Sequence, residues 1–200
     1  LYPTYRIVDE ELVGKKQKKI LVFLFGRLEN GESFLSMSTY KPYFSIAQKS
    51  YHEKRDAIDK QLKMFNGIIE ESDFKNFSDE PVMKVTIDIP GDVPKIRKML
   101  EDELQIECYE ADIRFYQRFL IDKNIKGSLA ISGPFKKGKY VDRIYEEPHL
   151  EPSEWSPALK VLSIDIETDA KAKQLYCISL YTEGMLIDGK QHGAYKKVLL

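Results

Sequence analysis

The sequence has few cysteines, and its cysteines and histidines are not spaced as metal ligands. Cys108 and Cys177 lie in apolar, strand-like segments, and the three histidines are scattered along the chain. This pattern excludes a scaffold held by several disulfides and does not fit the ligand spacing of a zinc site. We therefore expect two buried, free thiols in a protein of a reducing compartment.

The sequence also lacks an excess of either charge and a long uncharged apolar run. Its 31 Lys and Arg residues almost balance its 32 Asp and Glu residues, so any nucleic-acid site has to be local rather than spread over the surface. No apolar run is long enough to cross a membrane. The start at Leu1 has no signal-peptide pattern, and we interpret the chain as an intracellular piece of a larger protein.

Strand and helix patterns alternate in the first half of the chain. Apolar runs at 19–26 and 33–38 flank the turn signal Asn30-Gly31, so we predict a β-hairpin there. Strand and helix patterns then follow in the order β-α-β-β-α-β, at 42–47, 53–65, 68–70, 82–89, 92–104 and 106–110. Asp92 is placed to cap the second helix. We therefore predict an α+β fold with a ferredoxin-like unit in an amino-terminal domain of residues 1–146.

The next segment predicts the end of the amino-terminal domain and a linker. Residues 114–123 have the pattern of a short helix, and 128–132 and 139–145 are predicted to pair as a hairpin. Three prolines with acidic residues between them then give 147–157 the composition of a linker. We place the domain boundary in this linker.

The residues after the linker, 158–200, predict a different domain that starts with strands. Residues 159–168 are apolar on both faces, which is typical of a central, buried strand. A second strand pattern covers 174–181, and residues 185–187 begin a third. These strands alone do not complete a hydrophobic core.

Two carboxylates stand near the end of the first of these strands, in Asp165-Ile166-Glu167. Residues two apart in a strand point to the same face, so Asp165 and Glu167 project together. At a buried strand end they would repel one another and lose hydration, and a hard divalent cation removes both costs. Mg²⁺ and Mn²⁺ bind one or two carboxylates and keep water and phosphate oxygens elsewhere, as in phosphodiester hydrolysis. A solvated strand edge is the alternative explanation of the same spacing.

Three blocks of sequence resemble family B DNA polymerases. Residues 163–168, Ser-Ile-Asp-Ile-Glu-Thr, with the strand at 175–180, resemble the first exonuclease motif of that family, above all in bacterial polymerase II enzymes. Residues 92–97 resemble a helix start of the archaeal members, and 109–123 resembles the segment that joins their amino-terminal domain to the exonuclease. The resemblance covers residues 80–182 well and the earlier residues only by the order of their elements.

This resemblance implies a fold, a metal and a set of partners. Residues 158–200 would open an RNase H-like 3′→5′ exonuclease fold, with Asp165 and Glu167 as catalytic residues and as ligands of two Mg²⁺ or Mn²⁺ ions. The family needs further acids from two later motifs, so we expect this chain alone to be inactive. The implied partners are template and primer DNA and, for the complete polymerase, deoxynucleotides and a sliding clamp. The implied location is cytoplasmic and nucleoid-associated in a prokaryote.

Uracil recognition is a further property that the resemblance raises, because archaeal members bind template uracil in a pocket of the amino-terminal domain. Pro42, Val82, Ile113 and Phe115 match positions of that pocket, but Arg114 replaces a proline that is typical of it. Bacterial relatives lack a clear version of the pocket, and apolar residues at such places are usually part of a core. We therefore expect no tight discrimination of uracil.

Basic and aromatic residues in two segments are candidates for contact with single-stranded template. Lysine and arginine pair with phosphates, and tyrosine stacks on bases. The candidates are Arg114, Arg118, Lys136, Lys137, Lys139 and Tyr140. The alternative explanation is that the two arginines lie on a helix between domains and the other four residues lie at a solvated hairpin tip, without any contact with DNA.

Three other functions fit parts of the sequence. The main alternative is a non-catalytic module for single-stranded nucleic acid, because RNA-recognition domains share the β-α-β-β-α-β order; however, 82–89 carries no aromatic residue for stacking. A stand-alone RNase H-like nuclease would need more acids after residue 182, where Glu183 and Asp188 fall in turns. A structural or clamp-binding fragment is the third alternative.

Overall fold

The computed structural model describes residues 1–12, 15–156, 161–182, 186–187, 190–191 and 195–199. The chain divides into two compact units, Leu1–Trp155 and Ser156–Leu200. Strands predominate over helices in the described residues, and the predicted α+β class is confirmed. No helix among these residues is long and apolar enough to cross a membrane.

The first unit contains three sets of hydrogen-bonded strands, one with five strands, one with four and one with two. Its elements follow in this order: β1 (Tyr2–Leu12), β2 (Lys15–Arg27), β3 (Ser33–Thr39), β4 (Tyr43–Ala47), α1 (Gln48–Lys63), β5 (Ile68–Lys75), β6 (Pro81–Thr86), a 3-10 turn (Pro90–Asp92), α2 (Val93–Leu104), β7 (Cys108–Tyr109), α3 (Phe115–Asp122), β8 (Ser128–Ser132), β9 (Phe135–Lys137), β10 (Arg143–Glu146) and β11 (His149–Ser153).

The five-stranded sheet contains the predicted hairpin. Its strand order is β1-β2-β3-β10-β9, and β2 pairs antiparallel with β3 as expected. Strand β1, which was not predicted from the sequence, is largely polar and pairs with β2 along its whole length. Alternate residues of β2 are buried against α3, where they share a core with Phe115 and Phe119.

The four-stranded sheet follows the predicted β-α-β-β-α-β order. Its strands lie in the order β5-β6-β4-β7, and every pair is antiparallel. Each helix therefore connects two strands that have one antiparallel strand between them. Helices α1 and α2 share a core with this sheet, in which the burial of each large apolar side chain contributes about 1.5–3 kcal/mol. That core includes Phe44, Ile46, Ile58, Leu62, Val85, Ile87, Ile96 and Leu100.

Both helices of this sheet begin differently from the prediction. Helix α1 begins at Gln48 rather than at Glu53, and Lys54 has non-helical backbone angles that kink it. Helix α2 begins at Val93, but the predicted capping by Asp92 is wrong, because its side chain accepts no capping hydrogen bond from the backbone of the helix. The Asp92 carboxylate instead accepts a hydrogen bond from Lys95 Nζ at 2.7 Å.

The hairpin predicted between 128–132 and 139–145 is wrong. Strand β8 pairs with β11, and β10 lies between β3 and β9 in the five-stranded sheet, parallel to β3. The ends of β10 are fixed to β3 by side chains. Asp142 accepts hydrogen bonds from Ser33, and Glu147 accepts hydrogen bonds from the backbone and hydroxyl of Thr39.

The segment predicted as a linker, 147–157, is partly structured. Residues His149–Ser153 form β11, in which Leu150 is buried. The chain divides after Trp155, near the end of that segment. Pro157 and the first two residues of the strand predicted at 159–168 lie outside the described residues.

The regular elements in the described part of the second unit are all strands. They are β12 (Leu162–Thr168), β13 (Leu175–Thr182), β14 (Leu186–Ile187), β15 (Lys190–Gln191) and β16 (Tyr195–Leu199). An antiparallel sheet has the order β12-β13-β16, and β14 pairs with β15. The first two strands are thus formed as predicted, whereas Met185 of the third lies outside the described residues.

Both cysteines are free, as predicted, but they are only partly buried. Burial raises the pKa of the Cys108 thiol to about 12. This thiol therefore stays protonated near neutral pH and is a poor nucleophile. Cys177 lies on β13 and stands opposite Glu167 of β12.

Candidate functional site

Asp165 and Glu167 lie on one face of β12, as the period of a strand requires. Strand β12 pairs antiparallel with β13, so that Asp165 stands opposite Ser179 and Glu167 opposite Cys177. The α-carbons of residues two apart in a strand are about 6.8 Å from one another, which lets the two carboxylates reach one shared cation. The strand thus places the two predicted metal-binding residues side by side.

The pairing of β12 with β13 becomes irregular directly after this pair. Glu167 pairs with Cys177, but Thr168 pairs with Leu175, so Tyr176 is an extra residue in β13. Such a bulge bends a strand and re-aims the side chains beside it. The candidate site therefore lies next to a local departure from regular strand geometry.

The turn after β12 is held by the side chain of Asp169. Its Oδ1 accepts hydrogen bonds from the backbone N–H of Lys173 at 2.6 Å and of Gln174 at 2.7 Å. These donors, that of Gln174 first, hold the pKa of Asp169 below its usual value. Because the backbone already uses this carboxylate, Asp169 fixes the turn beside the Asp165–Glu167 pair rather than extending that pair.

The burial predicted for β12 is wrong for this chain. The strand lies at an edge of the described sheet, and all of its residues are exposed, including Ile164 at 58% and Ile166 at 57%. The prediction assumed a central strand, whereas β12 has a described neighbour on one side only. The two carboxylates are consequently open to solvent, so the argument from their desolvation does not apply here.

The pair fits a hard divalent cation but forms only part of a protein metal site. Among the described residues, no group of three or more His, Cys, Asp or Glu side chains is placed to hold a metal ion. Mg²⁺ and Mn²⁺ accept such partial sites, because water and phosphate oxygens fill their remaining positions. Glu183 and Asp188, the other acids considered in this unit, lie outside the described residues.

A cleft of about 610 Å³ in the first unit collects most of the residues that match the uracil pocket. Pro42, Ile113 and Phe115 line it. Val82 does not, because it is buried in β6, opposite Ala47 of β4. Three of the four predicted pocket positions thus meet at one cleft, and the fourth is a core residue.

The two candidate arginines of this region differ in what they offer a ligand. Arg114 is exposed and donates a hydrogen bond to the Tyr116 hydroxyl at 3.2 Å. Arg118 is 6% exposed, donates to Glu110 at 2.5 Å and lies over the ring of Tyr43. Because its guanidinium is buried and engaged, the position of Arg118 does not support the predicted contact with a phosphate backbone.

A tyrosine–aspartate cluster beside Arg118 was not predicted from the sequence. The Tyr43 hydroxyl donates to Asp122 Oδ1 at 2.8 Å, and the Tyr40 hydroxyl donates to Asp122 Oδ2. Burial and the Asp122 carboxylate raise the pKa of Tyr43 to about 12 and also raise that of Tyr40. The two tyrosines come from the β3–β4 region and Asp122 from α3, so this cluster ties α3 to both sheets. No local sequence signal marks it, since the partners lie far apart along the chain.

The second group of predicted DNA contacts lies at β9 and the turn after it. Lys136, Lys137, Lys139 and Tyr140 are all exposed, and Lys139 Nζ lies 5.2 Å from the centroid of the Tyr140 ring. An added Cβ at Gly138 would meet the Val141 carbonyl oxygen at 2.6 Å, so the tight turn requires glycine. This turn therefore presents three lysines and an aromatic ring to solvent, an arrangement suited to phosphates and bases. The ammonium group of Lys136 also forms an exposed ion pair with Glu146 at 3.2 Å.

Comparison with known proteins relates these features to a family. The family model for the exonuclease domain of family B DNA polymerases matches residues 106–180. The predicted resemblance to this family is confirmed. The matched segment contains Asp165, Glu167 and most of β13, the strand that pairs with β12.

Three curated relatives carry polymerase names. They are a DNA polymerase of Methanocaldococcus jannaschii (28% identity, 61% of this chain and 7% of the relative), the DNA polymerase delta catalytic subunit of Plasmodium falciparum (25%, 94% and 22%) and DNA polymerase II of Escherichia coli (32%, 53% and 13%). The chain thus spans less than a quarter of the length of each of these relatives.

A solved family B DNA polymerase from the hyperthermophilic archaeon Pyrobaculum calidifontis has a similar fold. It aligns with a TM-score of 0.58 and 20% identity over 97% of this chain and 26% of the polymerase chain. The fold of the described residues is therefore similar to that of part of a family B enzyme.

Proposed function

We propose that this chain carries the amino-terminal domain and the first part of the 3′→5′ proofreading exonuclease of a family B DNA polymerase. The placement of Asp165 and Glu167 on one open face of β12, inside the segment that matches the exonuclease domain of the family, carries this proposal. The complete protein would copy a DNA template and remove mispaired 3′ ends. Its substrates would be template and primer DNA and deoxynucleotides, and a sliding clamp is a further proposed partner.

Asp165 and Glu167 would hold Mg²⁺ or Mn²⁺ beside the phosphodiester that is cleaved. Ions held there would supply an activated water molecule and would stabilise the leaving oxygen. The chain itself keeps the two carboxylates on one face, and Asp169 fixes the turn next to them. The exposure of all residues of β12 would leave this face accessible to a DNA strand.

The topology supports the finer assignment of both units. In the first, two helices each connect strands separated by one antiparallel neighbour, which is the split β-α-β arrangement of a ferredoxin-like unit. In the second, the antiparallel β12-β13-β16 sheet is compatible with the opening strands of an RNase H-like fold. We keep 1–146 and 158–200 as the proposed limits of the two domains.

We propose that this chain alone has no nuclease activity, because two carboxylates supply only part of a two-metal site. A purified sample incubated with a 5′-labelled single strand and Mn²⁺ should leave the strand intact. Degradation that disappears in Asp165→Ala would contradict this part of the proposal.

A non-catalytic module for single-stranded DNA remains the second candidate, and the exposed lysines and Tyr140 of the β9 turn favour it. The two candidates differ in what the carboxylates do. A binding module would retain DNA binding and show no metal dependence when Asp165 and Glu167 are replaced. The predicted prokaryotic, nucleoid-associated location stays a prediction, because the relatives include a protein of Plasmodium falciparum.

Sequencing the gene beyond the codon for Leu200 tests the polymerase proposal. We expect two further exonuclease motifs with acidic residues, followed by a polymerase domain with paired aspartates. A reading frame that stops at Leu200 would contradict the proposal and favour a binding or accessory role.

A further inference from the structure

The face of the second sheet that bears Asp165 and Glu167 also bears a lysine. In the antiparallel register, Ser163 pairs with Tyr181, and Tyr181 pairs with Lys196 of β16. Ser163 and Asp165 are two residues apart in β12 and share a face. Lys196 therefore lies on the carboxylate face, two strands away from β12.

A shallow cleft of about 330 Å³ joins these residues. Ser163, Asp165, Ser179, Tyr181 and Lys196 line it, together with Ile164, Leu180, Lys197 and Val198. Neighbouring strands are about 4.8 Å apart and two residues advance about 6.8 Å along a strand, which separates the α-carbons of Asp165 and Lys196 by about 12 Å. A single DNA strand advances about 3.4 Å per nucleotide in a duplex, so a few nucleotides of one strand reach from the carboxylates to the lysine.

The ammonium group of Lys196 lies over the ring of Tyr181, 5.6 Å from the ring centroid. A cation held over an aromatic ring keeps its charge while the ring restricts its position. Lysine in such a place acts as a point charge for phosphate.

We propose that Lys196, supported by the Tyr181 ring, binds a phosphate of the single-stranded 3′ end whose terminal phosphodiester lies at Asp165 and Glu167. This inference rests on the proposed exonuclease function and extends it by naming a substrate-positioning residue outside the carboxylate pair. Lys196 holds the strand in register with the carboxylates, and Ser179 lies between them on the same face of β13.

The neighbouring Lys197 provides a matched control. It pairs with Leu180 and therefore lies on the opposite face of the same strand. Lys196→Gln and Lys197→Gln change the net charge of the chain equally. Both lysines line the cleft, but the strand register puts only Lys196 on the face that bears the carboxylates.

The test measures binding of a fluorescein-labelled single-stranded octanucleotide with a free 3′ hydroxyl by anisotropy at several salt concentrations. Lys196→Gln loses one phosphate contact, so it should bind the oligonucleotide more weakly, and its slope of log affinity against log salt concentration should fall by about 0.7. Lys197→Gln should match the parent chain in both quantities. Lys196→Arg should retain the slope. Equal slopes for the two glutamine variants would overturn the inference.

Mn²⁺ binding to the same samples separates this inference from the proposed function. If Asp165→Asn with Glu167→Gln abolishes Mn²⁺ binding while the two lysine variants behave alike, the metal site stands and the lysine subsite fails. If that double variant leaves Mn²⁺ binding unchanged, the metal site fails. In both cases the anisotropy comparison of Lys196→Gln with Lys197→Gln tests whether Lys196 binds a phosphate, because the oligonucleotide binding is also measured without metal.

Discussion

Asp142 is hydrogen-bonded to Ser33, a residue 109 positions earlier in the chain. Its Oδ2 accepts hydrogen bonds from the Ser33 backbone N–H at 2.7 Å and from the Ser33 hydroxyl at 2.6 Å. The Asp142 N–H in turn donates to the Ser33 carbonyl oxygen at 3.1 Å. This reciprocal contact fixes the start of β10 against the start of β3.

We predict that Asp142→Ala lowers the thermal midpoint of the first unit, because the Ser33 donors lose their acceptor. The same hydrogen bonds hold the pKa of Asp142 below its usual value. The ionised carboxylate therefore stabilises the fold above its unfolded pKa of about 3.9, and this stabilisation is lost as the pH falls through the lower folded value. Calorimetry at neutral and acid pH should show a difference from the parent chain that shrinks at acid pH. Asp56→Asn, on the exposed face of α1, is the control; an equal shift there would contradict the account.

Arg118 should matter for stability rather than for DNA binding. Arg118→Met removes the hydrogen bond to Glu110 and the contact with the Tyr43 ring, and we expect it to lower the free energy of unfolding by about 1–3 kcal/mol. Urea unfolding measures that loss. Anisotropy with a single-stranded oligonucleotide should show unchanged affinity. A variant that keeps its stability but loses DNA binding would restore the role predicted from the sequence.

The lysines of the β9 turn should contribute to binding of single-stranded DNA. Replacement of Lys136, Lys137 and Lys139 by glutamine should reduce the salt slope of binding by about 2, because three phosphate contacts are lost. The matched control replaces Lys49, Lys60 and Lys63 of α1, which are also exposed. Similar slopes for the two triple variants would show that only net charge matters.

The cleft of the first unit should not distinguish uracil tightly from thymine. Pro42, Ile113 and Phe115 line it, but Val82 does not, and Arg114 stands where the resembling pocket has a proline. We expect the affinities for uracil- and thymine-containing single strands to differ by less than about tenfold, or about 1.4 kcal/mol. Competition binding with strands that differ at one base measures this ratio. A larger preference for uracil would contradict this prediction and show that the cleft binds uracil selectively.

Local patterns in the sequence predicted most elements whose partners are nearby, but not the largely polar β1. The period of two placed Asp165 and Glu167 on one face, and the alternation of strands and helices gave the order of the four-stranded sheet. The pairing of β10 with β3 was missed because its contacts, such as Asp142 with Ser33, join distant segments. The exposure of β12 was missed because an apolar composition does not show whether both neighbours of a strand are present.

The candidate site was only partly predictable for the same reason. The carboxylates carry a short motif, whereas Lys196 joins their face only through two successive strand pairings. Tyr43 and Asp122 likewise meet through the packing of α3. Val82 matched a pocket position by sequence, yet its place in β6 buries it in the core.

Mn²⁺ binding by the chain tests the central claim most directly, with the signal of the free aqueous ion in electron paramagnetic resonance as the readout. Asp165→Asn with Glu167→Gln removes the proposed ligands. Glu71→Gln with Asp73→Asn is the matched control, because these exposed acids are also two residues apart in a strand, β5. The account predicts that the first double variant loses Mn²⁺ binding and the second retains it. Equal binding by both variants would contradict a metal site at Asp165 and Glu167.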